Sequence, residues 1–289
     1  MKPWILAMRP ATLLAGAVPV AVGASLAVGH PNFEVWVACL ALLGSLLIQI
    51  ATNFANDYYD FIKGADTEER VGPDRATQQG WISPQAMKRA TGLTLLLALG
   101  VGVVLIFRGG WPIAALGLCS LLLAVGYTGG PFPLAYIGLG DLFVLAFFGL
   151  GATVGTYWLL ALEQSPGVWA AGFALGALAT AILVVNNLRD RFTDAEVGKN
   201  TLAVRFGAQA VRAEYAALVL SAYGVVGLAV HFTWLPTGAL WVFASTPQAI
   251  IAVRAVYRLD GAALNPLLGL TARLEALFGI LFIIGVLGP

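Results

Sequence analysis

Charge is what this chain has least of. Only 11% of its 289 residues are Asp, Glu, Lys or Arg, while 59% are hydrophobic. A water-soluble domain carries about a quarter charged residues, so a soluble globule is excluded and the bilayer becomes the expected solvent. A net charge of +1 leaves no global field for nucleic acid or an acidic partner. Two histidines far apart in sequence, His30 and His231, offer no histidine-based metal centre. Two cysteines, Cys39 and Cys119, exclude a disulfide framework; both lie in apolar runs and read as small core residues. Gly151-x-x-x-Gly155 and Gly172-x-x-x-Gly176 have no strand around them, which excludes a dinucleotide loop and leaves close helix packing.

Long apolar runs are what the chain does have. They fall near 11–29, 34–56, 91–107, 111–128, 139–162, 168–188, 213–232, 235–253 and 267–288, divided by charge or by breakers such as "RGGWP", "QSPG" and "TWLPTG". The expectation is an all-α, multi-pass membrane protein: nine transmembrane helices around a central cavity open to the cytoplasmic side, in one domain over 1–289. The basic start runs into one apolar stretch and then directly into another, so it reads as a retained first helix and not a cleaved signal. In the last run, Arg273 and Glu275 are expected to snorkel toward an interface. With the N-terminus inside, 15 of the 16 Lys and Arg residues fall on one face and only Arg108 on the other. The bias of basic residues toward cytoplasmic loops then places the protein in the cell (inner) membrane, with its C-terminus outside.

One polar stretch interrupts this pattern twice. "NFANDYYDFIKG" at 53–64 matches "NNLRDRFTDAEVGK" at 186–199, an offset of 133 that makes a parallel internal repeat. Asn53, Asn56, Asp57 and Asp60 share one helical face by i, i+3, i+4, i+7 spacing; Asn186, Asp190 and Asp194 share another. Four converging carboxylates repel one another unless a cation sits among them. Aspartates beside amides are hard oxygen ligands that suit Mg²⁺, an ion that commonly shares its shell with phosphate. Lys63, Arg189 and Lys199 are the matching phosphate contacts, and Arg75, Tyr127 and Tyr136 are further candidates for substrate binding. A solvated helix cap is the plain alternative for a single acidic pair. A duplicated Asn-x-x-x-Asp, closed by a second Asp and a Gly, is better explained as a site.

These motifs resemble the UbiA superfamily of intramembrane aromatic prenyltransferases. "NDYYDFIKGAD" at 56–66, "GPDRATQQGWISP" at 72–84, "NNLRDRFTDAEVGKNTLAVRFG" at 186–207, "RPATL" at 9–13 and "GGPFPLAYIGLGDL" at 129–142 are similar to its 1,4-dihydroxy-2-naphthoate branch. The resemblance implies nine helices and two Asp-rich motifs that hold Mg²⁺ and a polyprenyl diphosphate. It further implies transfer of the prenyl group to an aromatic acid with loss of CO₂, in menaquinone biosynthesis. Asp57, Asp60, Asp190 and Asp194 become the implied catalytic and metal residues, and Arg75 a lid or a contact to the acceptor carboxylate. The first motif is D-x-x-D where many relatives have D-x-x-x-D, which leaves the metal shell open between Asp60 and Asp66. Two rivals are a 4-hydroxybenzoate prenyltransferase and a cation-coupled transporter. Many transporters carry inverted repeats with midplane sites, whereas these motifs are parallel and lie at one face.

Overall fold

A computed structural model describes residues 2–64, 71–131 and 133–288 of the protein. Among them there is no strand. In chain order the helices are α1 (Lys2–Met8), α2 (Pro10–Ala27), α3 (Val35–Ile62), α4 (Pro84–Gly109), α5 (Trp111–Gly126), α6 (Gly140–Val144), α7 (Ala152–Ala161), α8 (Pro166–Glu196), α9 (Leu202–His231), α10 (Thr246–Arg258) and α11 (Asn265–Leu287). A π-helical turn (Leu145–Gly151) joins α6 to α7, and 3₁₀ turns precede α10 and α11.

Seven helical stretches among the described residues are long and apolar enough to cross a membrane, or eight when the bent α1–α2 pair is taken as one span. The protein is a multi-pass membrane protein. The expected count of nine differs at α5, whose 16 residues extend only about 24 Å at 1.5 Å per residue, short of the ~30 Å hydrocarbon core.

Helix α8 is the axis of the molecule. In its apolar window 78% of residues are buried, against 17% in α4. It packs on α9, α11 and the π turn, and α2 packs on α3, α7 and α11 around it. At Gly149, an added Cβ would stand 2.3 Å from the Cα of Gly176 and 2.4 Å from the carbonyl of Gly172. The small-residue spacing on α8 therefore does let two backbones touch, with Gly149 as its partner. Elsewhere the exterior is apolar, as at Phe107, Trp111, Leu118 and Leu122.

Two expectations need correction. Cys39 and Cys119 are exposed on the outer faces of α3 and α5 and do not belong to the core; an apolar run inside a membrane protein has a lipid-facing side as well as a packed one. Glu275 does not snorkel. It is 1% exposed, because α11 turns that face toward the protein interior, between Leu274 and Phe278 of the main core.

Both Asp-rich stretches end the long helices α3 and α8, and the chain leaves each helix in the same way. Gly64 and Gly198 adopt left-handed backbone angles, φ +69° and +71°, the conformation that ends a helix most cheaply when the residue has no Cβ. At the opposite end, Arg108 donates to the Asn32 carbonyl at 2.5 Å and pairs with Glu34 at 3.2 Å. That end also holds the His30–Glu163 pair.

Candidate active site

The polar residues at the ends of α3 and α8 guard one large cavity, about 970 Å³, lined by α2, α3, α5, α7 and the turns between them. Its depth is apolar, at residues such as Val20, Leu105, Leu116 and Phe147; its mouth carries Asp57, Asp60, Arg75, Arg189 and Lys199.

The two aspartates of the first motif have different partners. Asp57, 1% exposed, accepts the backbone N–H of Ala76 at 3.1 Å and of Thr77 at 3.0 Å, one on each carboxylate oxygen. The 71–83 loop is thereby pinned over the cavity. Among the described residues Asp60 bonds to no backbone group: Arg75 Nη2 stands 3.6 Å from one of its oxygens and the Tyr136 hydroxyl donates to the other at 3.4 Å. Asn53 ties the N-terminal segment to α3, donating to the Met8 carbonyl at 2.8 Å and to Thr12 Oγ1 at 3.0 Å. Asn56 Oδ1 accepts from the Thr128 hydroxyl at 2.8 Å.

In the second motif, Arg189 grips Asp190 through two bonds of 2.7 and 2.6 Å, and also reaches Asn186 Oδ1 at 2.8 Å. Asp194 pairs with Lys199 at 3.3 Å, and its Oδ2 is buried with no hydrogen-bond partner among the described residues. Arg189 and Lys199 line the cavity, while Asp190 and Asp194 sit behind them. The first motif thus presents carboxylates to the cavity, and the second presents cations.

Tyr136 joins the two motifs. The Lys63 ammonium lies 4.3 Å from its ring centre and the Lys199 ammonium 5.9 Å, and its backbone carbonyl accepts from Asn200 N at 2.9 Å. Burial disfavours the charge on Lys199, but Asp194, Asp60 and Asp190 outweigh that and hold its ammonium above the ordinary lysine value. At Lys63 burial wins over Asp60 and lowers the value; its ammonium donates to the Thr128 carbonyl at 2.5 Å. Tyr127 lines the cavity. Burial, then the carboxylates of Asp141, Asp60 and Asp194, push its phenol up, so it stays a hydrogen-bond donor.

Among the described residues, no three Asp, Glu, His or Cys side chains stand close enough to hold a metal alone. Mg²⁺ does not need such a cage; one or two carboxylates plus substrate phosphate oxygens serve it. Asp60, at the cavity and without a backbone bond among the described residues, fits an ion that arrives with a diphosphate, and Asp194, paired with Lys199, offers an Oδ2 unpartnered among the described residues. Asp66 lies outside the described residues.

Sequence reasoning overlooked several members of this site. The amides of Ala76 and Thr77 carry no side-chain signal. Asn265 accepts from Arg189 Nη1 at 3.0 Å and donates to the Val71 carbonyl at 3.0 Å, tying the loop to the second motif. Asp141, buried on the cavity wall, was legible as a carboxylate opening an apolar span.

Comparison with known proteins agrees with this architecture. The chain is 38% identical to the 1,4-dihydroxy-2-naphthoate octaprenyltransferase of Escherichia coli K12 over 296 residues, covering 99% of this chain and 95% of that protein. Its fold is similar to that of a UbiA homologue from Aeropyrum pernix K1 (TM-score 0.73, 15% identity, 94% of this chain and 97% of that one). It is also similar to a UbiA homologue from Archaeoglobus fulgidus bound to GPP and Mg²⁺ (TM-score 0.66, 17% identity, 97% and 99%). Residues 17–272 match the UbiA prenyltransferase family, and with two Asp-rich helix ends closing over one apolar cavity, this chain belongs to that family.

Proposed function

We propose that the protein transfers a polyprenyl group from its diphosphate to 1,4-dihydroxy-2-naphthoate with loss of CO₂, a step of menaquinone biosynthesis. The observation that carries this reading is the cavity: a mouth of opposed carboxylates and cations over an apolar chamber of about 970 Å³. A diphosphate head suits that mouth and an isoprenoid tail suits that depth. The acceptor follows from the name of the Escherichia coli relative, which matches over nearly the whole chain.

In this reading Arg189, Lys199 and Arg75 hold the diphosphate, and their fixed positive charge favours the negative charge that grows as the allylic C–O bond breaks. Asp60 and Asp194 would hold Mg²⁺, with Asp190 oriented beside them by Arg189. The bound ion would add further stabilisation of the leaving oxygen. Asp57 keeps the 71–83 loop closed, so Arg75 stays at the mouth and water stays out, which protects an allyl cation from quenching. The Tyr127 and Phe147 rings offer π faces to that cation. Basic residues crowd the end that carries the motifs, as expected of a cytoplasmic face of the inner membrane. The C-terminus, at the far end of α11, would then lie outside.

The test is turnover by purified protein with Mg²⁺, a polyprenyl diphosphate and a panel of acceptors. Dihydroxynaphthoate labelled at its carboxyl should release labelled CO₂ in step with prenylated product, and EDTA should abolish both. Label retained in the lipid product, or faster turnover of 4-hydroxybenzoate, would overturn the acceptor. Labelling of single cysteines at Gln79 and Asn200 from the cytoplasmic side, with Asn32 protected, checks the orientation.

A further inference from the structure

Neither Asp-rich motif contains Asp141, yet it faces the same cavity. It opens the α6–π–α7 segment and is 8% exposed. Its Oδ1 is buried without a hydrogen-bond partner among the described residues. Buried carboxylate oxygens are almost always paired, and the residue that carries this unpaired one lines the cavity. Tyr127 stands beside it: the phenol oxygen lies 3.0 Å from where a Cβ on Gly140 would sit. Tyr127 lines the same cavity as Asp141 and the charged residues of the mouth. Phe143 and Phe147, two and six residues further along, stack with ring centres 6.1 Å apart and both line the cavity. The backbone under Phe147 is π-helical, a distortion that often marks functional positions.

We propose that Asp141 is the base that receives the hydroxyl proton of the aromatic acceptor. The inference rests on the acceptor reading above. A carboxylated hydroxynaphthalene can approach Asp141 only by its hydroxyl edge, because its own carboxylate is repelled there and drawn to the cations at the mouth. The Phe143–Phe147 wall takes its flat face. As the allylic C–O bond breaks, its electron pair leaves with the diphosphate. The ring carbon bearing the carboxylate forms the new C–C bond, and the neighbouring hydroxyl becomes a ring carbonyl by passing its proton to the Asp141 carboxylate. The C–CO₂ bond then breaks. Its electron pair restores the aromatic ring, the carbonyl oxygen takes the proton back, and Asp141 ends as it began.

The test uses the full-length protein in lipid nanodiscs. Asp141→Asn should lower the rate of transfer to dihydroxynaphthoate by about 100-fold or more, the usual scale for a lost general base. Its Mg²⁺-dependent affinity for polyprenyl diphosphate, measured separately, should be unchanged. Asp141→Ala should be equally slow and should regain at least tenfold on addition of formate, a small carboxylate that can enter the vacated space. Transfer by Asp141→Asn within threefold of the unsubstituted protein, loss of prenyl diphosphate binding along with transfer, or failure of formate to rescue would each overturn the proposal. If the unsubstituted protein prenylates 4-hydroxybenzoate and not dihydroxynaphthoate, the acceptor reading fails. The same two variants, assayed on hydroxybenzoate, then decide the role of Asp141.

Discussion

Replacing Asp57 by Asn separates an anchor from a metal ligand. The carboxylate of Asp57 receives two backbone N–H groups, Ala76 at 3.1 Å and Thr77 at 3.0 Å, each on its own oxygen. An asparagine keeps one acceptor and turns an NH₂ toward the second amide, donor against donor. One charge-assisted bond is lost, the other weakens to a neutral one, and a buried N–H is left without a partner. At roughly 1.5–3 kcal/mol for a bond to a charged group, less what the amide retains, the closed loop should lose about 2–4 kcal/mol. Exchange of the Ala76 and Thr77 amide hydrogens should then accelerate roughly 30- to 900-fold, at 1.36 kcal/mol per decade. Native-state hydrogen exchange of the protein in nanodiscs reads this directly. Asp60→Asn is the contrast. Its contacts at 3.6 and 3.4 Å involve side chains only, so turnover should collapse while exchange at 76 and 77 stays as it was. If Asp57→Asn abolished turnover with exchange at those two amides unchanged, Asp57 would be acting on the metal or diphosphate and the anchoring argument would be refuted.

Three further outcomes follow from the same geometry. Lys199 has a folded value above the ordinary 10.5, so its stabilising contribution is complete below that pH and is lost only as pH rises through the higher folded value. Replacing it with Met should therefore lower the melting temperature by the same amount at pH 7 and pH 9, and a difference that shrinks between those points would contradict it. Asn265→Ala removes both the Arg189 bond and the Val71 bond; it should raise KM for polyprenyl diphosphate about tenfold, on the order of one hydrogen bond to a charged group, and an unchanged KM would show that this strap does not set Arg189. Glu275 is buried with Oε1 unpartnered among the described residues, so Glu275→Gln, which keeps its shape and cannot ionise, should leave the melting temperature equal or higher; a clear fall would mean that the carboxylate has a partner.

The class of this protein was written in its composition. A chain with so little charge has no way to cover itself in water, and that alone decides for the bilayer. The pairing of the two polar stretches was also legible, because helical periodicity puts Asn53, Asp57 and Asp60 on one face and makes the match with Asn186, Asp190 and Asp194 visible. Periodicity says which residues share a face of one helix. It is silent on what stands opposite, and that is where the tertiary structure decided. The four aspartates look alike in sequence, yet Asp57 spends both oxygens on loop amides and Asp190 spends both on Arg189. Arg189 and Lys199 were expected beside the phosphates, but their position between the cavity and their own aspartates comes from the way α8 ends against the Tyr136 turn. The same limit explains the misread cysteines and Glu275: an apolar run records that a segment lies in the membrane, not which of its faces meets lipid and which meets protein. Asp141 is the sharpest case, a single carboxylate in "GLGDL" whose proposed role depends on the cavity that it lines. Empty space has no residue code, and it exists only once separate helices have packed around it.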